Sequence, residues 1–413
     1  MSATDVIGTL AVILVAGLAS EFLARIARVP RMLVLLAAGV VLGSEVLDVV
    51  DVPLDSIGAT LLFELGVAFI LFHGGLGLSF SVLSRVGVGL SLLAVPGVIL
   101  TALIVGGVAT VAFDVPFEAG FLIGAVLAPT DPAILIPLFD ELGVRRKVRQ
   151  TVIAESGLND ATGAVLALSV ATFVLGGEGS FVEPLTDFVT ELGISLALGV
   201  VFGLLLAVVL SDRRVGIWRE SSALAVAAVV AAQYVSIDSA GGSGYMGALI
   251  AGLVAGNADA LHLPARERHR EDLELFSTNV MDIVVLFVFV VVGASLPLAA
   301  MLDNAAGALV VLATFLFVAR PLTVAASLFP DRRGRWELRE IAFVAWTRET
   351  GVVPVALAGI LFAEGVPYEE EIVTIVAFAI VATLLLQSTT KRWLASRLGL
   401  IDAPSPRDSV SPA

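Results

Sequence analysis

The stretch GFLIGAVLAPTDPAIL (residues 120–135) reads as a membrane helix interrupted in its middle. Pro129 and Pro132 each lack the amide hydrogen that would bond back four residues, which frees the carbonyls of Ala125 and Ala128. Lipid offers those carbonyls nothing, so such a break survives only buried in protein or lining a cavity. Thr130 and Asp131 sit inside the break. With the freed carbonyls they offer a hydroxyl and a carboxylate, hard oxygen donors of the type alkali cations accept. The plainer alternative is a kinked structural helix with Asp131 capping its second half.

Composition places this stretch in a membrane protein. The 413 residues are 58% hydrophobic and 15% charged, with mean hydropathy +1.00, more apolar surface than a soluble core can hide. The long apolar runs differ from the ~10-residue alternating segments of an outer-membrane barrel. With no Cys, disulfides, thiol redox chemistry and thiolate metal sites are excluded. Of the 24 basic residues, all but two lie in short polar gaps at alternate breaks between apolar stretches, as in cytoplasmic loops. The exceptions, Arg320 and Arg348, lie within apolar stretches, where charge is costly and usually functional.

This spacing predicts an all-α polytopic membrane protein of thirteen spans, N-terminus outside and C-terminus cytoplasmic. The spans fall at approximately 6–24, 32–47, 56–78, 86–113, 117–139, 148–175, 188–211, 220–237, 241–261, 275–297, 304–329, 338–363 and 370–392. Basic gaps lie at 25–31, 85, 145–149, 213–219, 266–270, 332–339 and 391–407. Arg25, Arg28 and Arg31 come after the first span, which reads as a retained helix and not a cleaved signal peptide. The span at 220–237 is the weakest; topology requires it, since the basic gaps on either side of the eighth and ninth spans must share a face of the membrane. Spans five and twelve run in opposite directions, and both are interrupted by Pro, Gly and charge. A corresponding pair of broken spans points to a transporter site built on inverted repeats. Six glycines in span nine, from Gly241 to Gly256, predict close helix packing. The polar end from about 400 to 413 is expected to be a disordered cytoplasmic tail. The net charge of −14 suits either a high-salt habitat or ordinary solvation of acidic outer loops.

Residues 153–163, IAESGLNDATG, supply the second constellation. On a helix Ser156 and Asp160 form one stripe and Glu155 and Asn159 the next, all within roughly 140°. Two carboxylates buried on one face do not both ionise without countercharge. The candidates are Arg320, just before Pro321, and Arg348, inside WTRETGVVP (346–354). A buried guanidinium must face acid or carbonyl. Pairing Glu155 with one arginine leaves Asp160 to exchange ligands. In span three Glu64 reads as an access-path or ion-pair residue, or a satisfied buried polar group. His73 beside Gly74-Gly75 reads as structural or as a proton sensor. Asp282 and Glu349 are candidate local ion-pair partners.

These residues carry a resemblance. Pro129-Thr130-Asp131-Pro132-Ala133, then Glu155-Ser156-Gly-Leu-Asn159-Asp160, then Arg320-Pro321, resemble the NhaP-type sodium/proton antiporters of the monovalent cation:proton antiporter-1 family. The resemblance covers essentially the whole chain and implies a homodimer of thirteen-helix protomers in the plasma membrane. Helices at about 6–78 and 220–297 would form the dimer domain, those at 86–175 and 304–392 the moving core, and 188–211 a linker. It implies that Asp160 binds cation or proton, that Thr130, Asp131 and Ser156 complete the site, and that Glu155 pairs with Arg320 near Asn159. Two positions depart from the family: Thr-Arg-Glu-Thr-Gly at 347–351 stands where many relatives have Gly-Leu-Arg-Gly, and His73 stands where a number carry an acid.

The function expected is one-for-one exchange of Na+ (or K+ or Li+) for H+ through Asp160, with no cofactor and no nucleic-acid partner. Asn159 in place of a second Asp removes a titratable group, and relatives with Asn there look electroneutral. The rival is a sodium-coupled symporter of an organic anion on a similar broken-helix fold. A cation channel fits buried paired charge less well. An intramembrane enzyme lacks support, for no HExxH, Gly-x-Ser-x-Gly or Cys is present.

Overall fold

In lipid a backbone must satisfy its own N–H and C=O groups, and a helix does so within one segment. The computed structural model describes residues 3–27, 29–53, 56–130, 139, 143–176, 183–211, 222–263, 267–296 and 298–401. Among the described residues every regular element is helical, with one isolated antiparallel bridge between Val144 and Ile401. The first half holds α1 (Ala3–Ala27), α2 (Arg31–Leu42), α3 (Ile57–Leu76), α4 (Phe80–Ala94), α5 (Pro96–Phe113), α6 (Phe117–Leu127), α7 (Arg146–Gly176) and α8 (Glu183–Leu210). The second holds α9 (Ser222–Ser239), α10 (Gly244–Gly256), α11 (Glu267–Ala294), α12 (Leu298–Asp303), α13 (Ala305–Leu328), α14 (Leu338–Trp346), α15 (Val352–Ala363), α16 (Glu369–Gln387) and α17 (Ser388–Arg397).

Among the described residues, seven helices are long and apolar enough to cross a membrane, or eight when α16 and α17, bent by 44°, count as one span. Five shorter apolar helices, α2, α6, α9, α10 and α15, accompany them. An apolar helix lies in each of the thirteen stretches marked by hydropathy, although span five is described continuously only as far as Thr130. The exterior is apolar: Ile7, Val15 and Leu18 of α1 are 66%, 67% and 75% exposed, a surface suited to lipid.

Five of the six glycines of span nine pack closely as expected; at Gly241, with φ +77°, an added Cβ would meet nothing within 4 Å, and this residue serves the turn before α10. A Cβ on Gly252 would lie 2.1 Å from the carbonyl oxygen of Phe72, so α10 rests on α3 backbone to backbone. The helix that organises the site is α7, whose inner face is buried against α4, α6, α8, α10 and α15.

Two expectations need correction. The packed chain runs past residue 399: Leu400 is buried, its carbonyl accepts the Arg145 N–H at 2.9 Å, and Ile401 pairs with Val144. Residues 402–413 lie outside the described residues. Lys391, read from its neighbour Arg392 as part of a solvated basic gap, is fully buried.

Candidate ion site

Span twelve is interrupted in the structure. α14 ends at Trp346, residues 347–351 are non-helical, and α15 starts at Val352. A capping box starts α14, in which Glu337 and Glu340 reciprocally accept backbone N–H groups. Its other end leaves carbonyls without helical partners. Arg320 fills that role, donating to Val344 O at 3.0 Å and Thr347 O at 3.1 Å.

Arg320 reaches this point because α13 contains a π turn at Phe315–Ala319, after which the Arg320 N–H bonds back five residues to Phe315 O. Pro321 comes next and has no N–H to keep an α-helical register. The same guanidinium takes both oxygens of Glu155, with Nη2 3.0 Å from Oε2 and Nη1 on Oε1. Both side chains are buried. Charge balance and fork-to-carboxylate geometry make this pair tolerable in a low-dielectric interior.

Of the other predicted residues on α7, Ser156, Asn159 and Asp160 are 1%, 2% and 3% exposed, so the polar face turns inward as the helical spacing required. Thr130, at the end of the continuously described part of span five, meets that face. Its hydroxyl lies 2.9 Å from Ser156 Oγ and 2.9 Å from Asn159 Nδ2, and its backbone N–H donates to Asn159 Oδ1 at 3.2 Å. One turn further along α7, a Cβ on Gly163 would lie 2.6 Å from Pro129 Cγ, so glycine lets the broken segment rest on the helix. Asp131 lies outside the described residues. Among those described, no three His, Asp or Glu side chains gather as a metal site. Among the described residues, the polar groups here are the hydroxyls of Thr130 and Ser156, the Asn159 amide and, on the same helix, the Asp160 carboxylate.

Arg348 finds a carbonyl. Its Nη2 donates to Ala128 O at 2.6 Å, and its guanidinium sits 4.6 Å from the Phe315 ring centroid. Ala128 is one of the two residues whose carbonyls the prolines were expected to free.

The remaining candidates separate. His73 Nδ1 is 2.9 Å from Ser277 Oγ, and the residue lines a cavity of about 360 Å³ together with Glu274, Val352 and, from α7, Arg149, Ile153 and Gly157. The structure thus brings His73 beside the site helix. Glu64 is half-buried and bonds to Tyr234 of α9, in a separate polar group. Asp282 pairs with Arg31 at 3.6 Å, as a local partner should.

With the interrupted helices and their buried charges in place, relationship to known proteins is decisive. The transmembrane sodium/hydrogen exchanger family matches residues 10–397. The chain belongs to that family. It is 32% identical over 370 residues to Na(+)/H(+) antiporter 1 of Methanocaldococcus jannaschii, covering 85% of this chain and 82% of the relative. It is 28% identical over 302 residues to the K(+)/H(+) antiporter NhaP2 of Shewanella oneidensis, covering 71% of this chain and 49% of the relative. The chain therefore spans about half the length of that relative. Its fold is similar to the structure of the sodium proton antiporter MjNhaP1 from M. jannaschii at pH 8, with TM-score 0.81 and 25% identity over 95% of this chain and 99% of that one. The NhaP-type resemblance carried by the Thr130, Glu155–Asp160 and Arg320 motifs is thereby shown.

Within this family member, sequence reading missed a second buried ion pair. Glu349, expected to partner its neighbour Arg348, pairs with Lys391 of α17, and both are fully buried. One signal was available: Thr383, Gln387 and Lys391 recur every four residues inside an apolar stretch.

Proposed function

We propose that the protein exchanges a monovalent cation, Na+ foremost, for H+ across the plasma membrane, one for one, with Asp160 as the shared site. The observation that carries this reading is the division between the two buried carboxylates of α7. Glu155 is held by both terminal guanidinium nitrogens of Arg320, while Asp160 is buried on the same helix, next to Asn159 and one turn from Ser156. A carboxylate locked to arginine cannot trade ligands. In this reading Asp160 is the exchanging acid, holding a cation when ionised or a proton when neutral.

Thr130 and Ser156 supply hydroxyl oxygens for the cation, and Asp131 adds a second carboxylate from the same break. Asn159 fixes Thr130 through its amide and adds no titratable group. One monovalent ion replaced by another on a single acid leaves the charge of the site unchanged, so the exchange is electroneutral. The core, helices at about 86–175 and 304–392, then carries the site between the two faces against a dimer domain at about 6–78 and 220–297. Support for thirteen crossings comes from the full-length, bent and shorter apolar helices, which together number thirteen among the described residues, and the N-terminus-outside orientation rests on the alternation of basic gaps. The relatives' names include both Na(+)/H(+) and K(+)/H(+) antiporters, and both ions belong in the test. The organic-anion symporter reading is not favoured by these relatives.

The test is reconstitution into liposomes with an internal pH dye. Cation pulses of Na+, K+ and Li+ should each be compared for proton movement, with Asp160→Asn expected to abolish it. Undiminished exchange in that variant would remove Asp160 from the mechanism.

A further inference from the structure

We propose that Lys391 is a positioning residue for this exchange: paired with Glu349, it holds the break in span twelve, whose carbonyls Arg320 also holds. The proposal rests on the exchange reading above.

Span twelve lies between α13 and the α16–α17 pair, and each flanking span has a π turn ahead of its buried cation. In α13 the turn Phe315–Ala319 directly precedes Arg320. In α16 the turn Thr383–Gln387 precedes Lys391 by one helical turn. A π turn inserts one residue and so rotates the downstream helix by about 100° relative to an unbroken α-helix. Thr383, Gln387 and Lys391 are all fully buried.

Two members of that set meet the break directly. Thr383 Oγ1 accepts the Thr350 N–H at 3.1 Å, and Lys391 pairs with Glu349. A third tie comes from Thr390, whose hydroxyl accepts Trp346 Nε1–H at 2.9 Å at the end of α14. Residues 346–350 are therefore fastened three times to α16–α17, while Arg320 takes the carbonyls of Val344 and Thr347.

Arg348 sits between these two sets of ties, and its position decides whether its guanidinium reaches Ala128 O. Ala128 is two residues from Thr130, which binds Ser156 and Asn159. Lys391 thus acts on the ion site through Glu349, the backbone of the break and Arg348. Glu349 and Lys391 belong together: either one alone would be a buried charge without its counterion.

The experiment compares Lys391→Met, Lys391→Arg, Glu349→Gln and the double variant Glu349→Gln/Lys391→Met in proteoliposomes, measuring cation KM, maximal rate, pH profile and thermal transition. The double variant leaves no lone buried charge, so its thermal transition recovers from that of the single variants. Its cation KM nevertheless rises by about tenfold, the range expected when the outer partners of ion ligands are removed. Lys391→Arg keeps a KM nearer to wild type than Lys391→Met. A double variant with wild-type KM, maximal rate and pH profile would overturn the proposal and leave the pair structural only. Wild-type protein with no cation-driven proton movement would overturn the exchange reading itself, a distinguishable result.

Discussion

Arg348 donates to the carbonyl oxygen of Ala128 at 2.6 Å, joining the breaks of spans five and twelve. Each group meets the other's need. Pro132 has no N–H to return to Ala128, and Arg348 is a buried cation whose hydrogens need acceptors. Two irregular segments that would be unstable alone are thereby stabilised at their crossing.

Arg348→Ala should remove that link. A hydrogen bond to a charged group contributes about 1.5–3 kcal/mol, and the lost bond leaves the Ala128 carbonyl buried. Thermal unfolding in detergent should fall accordingly, with exchange reduced more than tenfold if the crossing positions Thr130, the equivalent of about 1.4 kcal/mol in barrier. Arg348→Lys, which keeps the charge but loses the planar fork, should fall between. An Arg348→Ala protein with wild-type stability and turnover would show that the contact is incidental.

Glu155 and Arg320 should behave as a unit. Either Glu155→Gln or Arg320→Gln alone strands a buried charge, at about 3–5 kcal/mol. The double variant should recover much of that stability. Thermal melts of the three proteins form the cycle, and additive losses would contradict the pairing.

Gly163→Ala tests the seat of the broken segment. The added methyl would meet the Pro129 ring at 2.6 Å, and overpacking of this kind costs about 1–3 kcal/mol. Exchange should drop while α7 itself, where alanine is a better helix former, is retained. Circular dichroism with flux measurements checks both halves.

How far these contacts were legible before the fold was known depended on whether the sequence isolates the group concerned. Pro132 announces the freed carbonyl of Ala128 by chemistry alone, whereas the Ala125 carbonyl expected to be freed by Pro129 accepts the Ala128 N–H at 3.2 Å in a tightened last turn; Glu155, Ser156, Asn159 and Asp160 announce a common face by spacing. Arg320 stood out because nothing charged surrounds it. Lys391 did not, since Arg392 is its neighbour and a lysine at the end of a span ordinarily marks a cytoplasmic loop. Its burial follows the π turn that ends α16 and the bend between α16 and α17, neither of which composition announces. Glu349 was misassigned for a related reason: adjacency in sequence suggested Arg348, but in the non-helical segment 347–351 the two neighbours take different partners, Ala128 O for Arg348 and Lys391 for Glu349.

The cytoplasm-facing end expected for α14 offers a pH test. Arg339 bonded to Glu337 holds its carboxyl below the ordinary value of 4.5, with Arg145 adding to the effect. A depressed folded pKa stabilises the protein above 4.5, and that contribution is lost as pH falls through the folded value. Glu337→Gln should therefore melt earlier than wild type at pH 7, and the two curves should converge in acid below 4.5. A difference that persists unchanged in strong acid, at about pH 3, would point to helix capping instead of charge.

Competition for Asp160 is most directly measured as protons released when Na+ binds the purified protein, by calorimetry in buffers of different ionisation enthalpy. At a pH where the acid is mostly protonated, the account predicts about one proton released per Na+ bound, and none from Asp160→Asn. Na+ binding to the wild-type protein at that pH with no proton release would contradict it.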